Sequence, residues 1–174
     1  TLKYDDVMNH QRKVIYEQRR KVLEGEDMRA TVEGAITQAI DRRLSEHVGV
    51  ASRTDWDIDG LRSWLRSTFL VDLDDDAADP HKLSYRDFVD AVRNRTLLEY
   101  EKKEREVGSE PMRAVERMIS LQVIDTKWRE HLLSMDELRD GIWAVGYSER
   151  NPLVEYKLRA FDAFNMMLER MRQD

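Results

Sequence analysis

Residues 108–146 read GSEPMRAVERMISLQVIDTKWREHLLSMDELRDGIWAVG, and most of the architecture follows from them. Gly108, Ser109 and Pro111 mark a helix start, with Ser109 as the cap and a proline tolerated in the first turn. No breaker follows until Gly141, and the apolar stripe Leu121, Ile124, Trp128, Leu132, Met135, Leu138 and Ile142 continues across that glycine. The spacing predicts one helix of about 35 residues, roughly 50 Å long. The pattern breaks near Gly146. Asn151-Pro152 then supplies the cap and first-turn proline of a last helix carrying Val154, Leu158, Phe161, Phe164, Leu168 and Met171. Two long helices joined by about six residues are expected to fold back as an antiparallel hairpin.

Upstream, scarce glycine and proline make the punctuation plain. Residues 2–24 set Tyr4, Val7, Met8, Gln11, Ile15, Gln18 and Val22 on one side of a helix that stops near Gly25. A second helix is expected from about Glu26 to His47, with Val32, Ile36, Ile40 and Leu44 facing inward. A third covers roughly 57–70 with Ile58, Leu61, Leu65 and Phe69 as its buried stripe. An Asp-rich loop at 72–79 ends at Pro80, which blocks helix continuation. Ser84 caps a helix of about 85–107, with Asp87 in the reciprocal position of a capping box. No segment shows a period-two strand pattern, so the chain is expected to be all-α.

The composition narrows the function. The chain has 174 residues, 29 Lys+Arg against 35 Asp+Glu, and no cysteine. That length buries a real core. The missing cysteine removes disulfides, thiolate zinc sites, iron–sulfur clusters and cysteine nucleophiles together, and fits a reducing compartment. The net charge of −6 is local: the eight Asp and two Arg between Asp55 and Asp79 account for all of it, and the remainder is balanced. No basic excess marks a nucleic-acid surface. No apolar run approaches the roughly 18–20 residues of a membrane span. The chain opens at Thr1 inside a helical pattern, which suggests a piece of something longer; a processed mature N-terminus is the alternative.

Motifs for chemistry are sparse. There is no GxxxxGK[ST] and no GxGxxG. Asp55-x-Asp57-x-Asp59-Gly60 matches the first half of a calcium loop, but Arg66 stands where a bidentate carboxylate belongs. The reading preferred here is that Asp57 or a neighbouring acid caps a helix. Asp72, Asp74, Asp75 and Asp76 read as a solvated loop. The four histidines, His10, His47, His81 and His131, are scattered, and His131, one turn beyond Trp128, is expected at the surface or facing a partner. In the turn of the hairpin, Tyr147 has few neighbours to pack on and reads as a contact residue. Trp143, a turn earlier, reads first as hairpin packing.

Two blocks then become specific. Leu2-Lys3-Tyr4-Asp5-Asp6-Val7-Met8-Asn9-His10-Gln11-Arg12, with Ile15-Tyr16 and Arg19, closely resembles the long scaffold helix of the SecA family of preprotein translocase motors. Trp128-Arg129-Glu130-His131-Leu132, Met135-Asp136, Leu138-Arg139 and Gly141-Ile142, then Gly146-Tyr147, Pro152 and Glu155-Tyr156-Lys157, resemble that family's two-helix finger. Trp56-Asp57-Ile58 with Gly60-Leu61 resembles its helical wing. Ala144-Val145 stand where the family usually has Leu-Arg, and Leu158-Arg159 where an Arg-Glu pair is common.

The resemblance implies an extended helical scaffold: residues 1–25 as the end of the scaffold helix, 26–107 as the wing, and 108–174 as the finger. It implies contacts of Tyr147, Trp143, Gly146 and Arg150 with preprotein and a SecY-type channel. It implies scaffold or motor-domain contacts for Tyr4, Asp5, Asp6, Asn9, Gln11, Arg12, Trp128 and His131. ATP and magnesium would be bound by motor domains upstream, and zinc by a cysteine tail downstream, leaving no cofactor or metal here and no catalysis by this piece alone. Its partners would be preprotein and signal peptide, the channel and its own motor domains, with a homodimer as an option. Its place would be cytoplasmic, peripheral on the inner face of the bacterial plasma membrane. The competing class is a free-standing helical-bundle adaptor that binds partner helices.

Overall fold

The computed structural model describes residues 2–25, 27–48, 56–73, 78–144 and 152–173, with the side chains of 2, 143, 144, 172 and 173 outside that description. Among the described residues six helices run in the order α1 (Leu2–Leu23), α2 (Met28–His47), α3 (Ile58–Phe69), α4 (Tyr85–Val107), α5 (Ser109–Ala144) and α6 (Pro152–Gln173). No strand occurs among the described residues. The all-α expectation holds, and α5 is a single helix of 36 residues that continues through Gly141.

The chain divides into two compact units: residues 1–28 with 115–174, and residues 29–114. In the second unit, α2 buries Ile36, Ile40 and Leu44 against Leu61 and Leu65 of α3 and Phe88, Val89 and Val92 of α4. Trp56 stacks on Phe88 with centroids 5.9 Å apart. The ends of α3 are set by local chemistry. Asp57 is its N-cap, accepting from the Gly60 N–H. At the other end Leu70 takes the left-handed conformation (φ 57), donating to Arg66 O while Val71 N–H donates to Leu65 O. This is a Schellman closure with leucine where glycine is usual; buried Val71 supplies the apolar contact that accompanies it.

Ser84 caps α4 as expected, its hydroxyl accepting from Asp87 N–H at 3.1 Å. Ser109 does not cap α5. Gly108, at φ +100, receives that role through its carbonyl, which accepts from Met112 N–H, while its own N–H closes α4 on Glu104 O. Ser109 is already helical, and its hydroxyl donates to the Glu104 carboxylate at 3.1 Å. A glycine free to take positive φ ends one helix and begins the next in a single residue.

In the first unit three helices share one core. Tyr4, Met135, Ile142, Tyr156 and Ala160 form one apolar layer, and Ile15, Ile124, Trp128, Phe164 and Met167 another. Residue numbers rise together along α1 and α6 and fall along α5. Thus α5 and α6 are antiparallel, and α1 lies along both. The inward face of α6 matches the stripe read in the sequence only in part: Phe164 is buried and Leu168 and Met171 pack against the core, but Val154, Leu158 and Phe161 are exposed, and Tyr156, Ala160 and Met167 are buried instead. Both sets have helical spacing, so period alone does not choose between them. The packing selects the set containing small Ala160, which lets α1 approach the α6 backbone.

Candidate functional site

The site lies where α1, α5 and α6 meet, between the two apolar layers. Gln11 is 4% exposed and His131 is 4% exposed. The Gln11 amide nitrogen donates to the Ala160 carbonyl at 3.1 Å. Its oxygen therefore faces His131, whose Nε2 lies 2.7 Å away and donates the N–H. One glutamine thus joins three helices. The imidazole sits between the rings of Trp128 and Phe164, with centroids at 5.5 and 5.7 Å. Burial there pushes its pKa down to about 4 from 6.5, because a charged ring loses its water. The group is a neutral hydrogen-bond donor at physiological pH.

The ends of the junction are closed by paired side chains. Tyr4 meets Tyr156 edge-on with centroids 4.8 Å apart. The Arg139 guanidinium lies 5.5 Å from the centre of the Tyr4 ring and 3.5 Å from the Asp5 carboxylate. Burial holds the Tyr156 hydroxyl above its ordinary pKa. Toward the other end, Arg19 takes both oxygens of Asp125, at 3.0 and 3.4 Å. This pair is partly solvated and contributes at most about 1 kcal/mol, more to orientation than to stability.

The residues named from sequence separate into three groups. Tyr4, Gln11, Trp128 and His131 are buried within this unit, which corrects the surface position expected for His131. The signal was present: His131 is three residues after Trp128 and four before Met135, on the inward side of α5. Asp5, Asp6 and Asn9 are exposed and Arg12 is half-buried, with Arg12 donating to Asn9 at 3.0 Å. Gly146, Tyr147 and Arg150 lie outside the described residues, as does the side chain of Trp143.

The acidic motif resolves as a helix cap. Asp57 spends one oxygen on Gly60 N–H and the other on His47 Nδ1 at 3.0 Å. Those two bonds, the backbone one first, hold its carboxyl below the usual carboxylate range. Gly60 has a reason unrelated to calcium: a Cβ there would lie 2.2 Å from Asp57 Oδ2. No group of three or more acidic, histidine or cysteine side chains suited to a metal occurs among the described residues. Asp55, Asp74, Asp75 and Asp76 lie outside them.

Fold and junction together define a helical scaffold, long helices fixed around a polar layer with a separate small helical unit. The chain belongs to the SecA wing and scaffold domain family, whose description matches residues 1–174. It is 40% identical to the protein translocase subunit SecA of Syntrophomonas wolfei over 174 residues, covering 99% of this chain and 21% of that protein. It is 38% identical to the SecA of Leptospira interrogans, covering 99% of this chain and 19% of the relative. SecA 1 of Thermobifida fusca is 38% identical over 179 residues, covering 99% of this chain and 18% of the relative. The chain spans about a fifth of the length of these relatives. Among the described residues no helix is long and apolar enough to cross a membrane.

Proposed function

We propose that this chain is the non-catalytic wing, scaffold and two-helix finger of an ATP-driven preprotein translocase. The antiparallel α5/α6 pair is the finger. The segment between the two helices, with Gly146, Tyr147 and Arg150 and with Trp143 just before it, contacts the translocating preprotein at a SecY-type channel. The outward side chains of α1, Asp5, Asp6, Asn9 and Arg12, face the motor domains. Tyr4, Gln11, Trp128 and His131 serve that contact from within, by holding α1 against the hairpin. The protein works in the cytoplasm, peripheral on the inner membrane face, and the finger restrains the ATPase until channel and preprotein bind.

The observation that carries this reading is the hairpin itself, two long helices locked to a third by buried side chains. Such a piece transmits displacement along its axis, since helices packed at native density deform little. An aromatic tip suits a changing substrate, because a ring rests on many peptide surfaces without a fixed hydrogen-bond pattern.

ATP binding is assigned to the motor domains and not to this chain. It has no phosphate loop, and five of the six helix first turns carry a carboxylate, at Asp5, Asp59, Asp87, Glu110 and Glu155. A phosphate at those N-termini would meet like charge. The nucleotide step belongs to motor domains elsewhere in the translocase, with ATP and magnesium there.

The test is Tyr147→Ala in the whole translocase. Translocation falls while basal ATP hydrolysis is kept. Equal loss of both, or of neither, removes the proposed contact.

A further inference from the structure

We infer that the Gln11–His131–Ala160 layer fixes the register of α1 against the α5/α6 hairpin, allowing one setting along the helix axis and opposing a slide by a turn. The hydrophobic clusters on either side supply little of that selectivity, and the ion pairs that flank them, Arg19–Asp125 and Arg139–Asp5, are partly solvated and weak. Both clusters are apolar, and Met8 packs against both, so a shift of α1 by one turn, about 5.4 Å, would exchange one apolar neighbour for another. Apolar surfaces are non-directional. The polar layer is directional. In the observed register Gln11 donates to Ala160 O and accepts from His131, which uses both ends of its amide.

Moved one turn toward α6's far end, the amide would lie among Ile15's present neighbours, Ile124, Trp128 and Phe164. Moved the other way, it would lie against Met135 and Tyr156. In either setting His131 also loses its acceptor. An amide left unpaired among apolar side chains carries the full desolvation penalty, and this asymmetry excludes the neighbouring registers. A single buried polar position fixes the register of coiled coils by the same physics. Ala160 takes part through its size: with no side chain beyond Cβ, its carbonyl stays within reach of Gln11. The inference holds whatever the hairpin contacts. For a finger, it means that a push on α1 arrives at α5 and α6 without slip.

These 174 residues hold no cysteine, so once any cysteine elsewhere in the whole protein is replaced by serine, introduced pairs read the register directly. Arg19 and Asp125 face each other across α1 and α5, so Arg19→Cys with Asp125→Cys reports the observed register. Arg19→Cys paired with Gln122→Cys or Arg129→Cys reports a slide of about one turn either way, and Arg19→Cys with Asp140→Cys reports unfolding. Each pair is placed in the full chain, with Gln11 and His131 intact or as Gln11→Leu/His131→Leu, and oxidised under identical conditions. With the layer intact only the 19–125 pair cross-links. With the layer made apolar, the 19–122 or 19–129 rate rises at least tenfold while 19–140 stays silent. An unchanged single-register pattern in the apolar variant overturns the inference, as do several registers in the parent. If 19–140 cross-links in the double variant, Gln11→Met, which removes both bonds with little change of volume, is scored by the same two criteria.

Discussion

The Nε2 of His131 lies 2.7 Å from the side-chain oxygen of Gln11, a residue 120 positions away in sequence, in a layer closed off from solvent. A buried imidazole has lost the water that would stabilise its charged form, which gives the chain a pH signature. The folded pKa is about 4 against an ordinary 6.5. The unfolded chain therefore binds a proton that the folded chain refuses. Stability contributed by the neutral ring is complete above about pH 6.5 and is lost as the pH falls toward about 4. Denaturant midpoints of the parent and His131→Gln, measured across that window, will diverge by a slope approaching one proton. Parallel curves would contradict the buried neutral ring.

Gly60 closes on the Asp57 cap. Replacing a helical glycine by alanine ordinarily stabilises a helix by about 0.5–1 kcal/mol. At Gly60 the sign reverses, because the new Cβ collides with Asp57 Oδ2 and displaces the cap. Thermal unfolding of Gly60→Ala will show a lower midpoint than the parent, whereas Gly34→Ala, in open space, will show a higher one. A gain at Gly60 would mean that the cap is not held there.

Ala160 is fully buried with its carbonyl bonded to α1, while Leu158 is 59% exposed. Ala160→Leu forces extra methyl groups between α6 and α1 and destabilises by about 1–3 kcal/mol. Leu158→Ala stays within about 0.5 kcal/mol. Urea midpoints of the two variants read out which face of α6 is inward, and the reverse order would refute the packing described.

Much of this structure is legible in the sequence where punctuation is sparse and apolar spacing is long. The 36-residue α5 follows from an uninterrupted stripe between Gly108 and Gly146, and Ser84 and Asp57 cap as their types dictate. The inward face of α6 is legible at Phe164, Leu168 and Met171 but not nearer its start, where two apolar faces share one helical period. The choice depends on how closely another helix must approach, which is a tertiary quantity. Polarity misplaces His131 for a related reason. A histidine reads as a surface residue until its partner is known, and Gln11 lies in a different helix far away in the chain. Ser109 shows a local version: serine is a favoured cap, but the preceding glycine takes the positive φ and the capping carbonyl.

The most direct measurement for the proposed role places a photo-reactive side chain at position 147 of the whole translocase, with a preprotein arrested in transit. An adduct to the preprotein is expected, and none from a probe at Leu98, an exposed α4 residue of the separate unit. Equal adducts at the two positions, or no adduct at 147 while translocation proceeds, would contradict the finger contact.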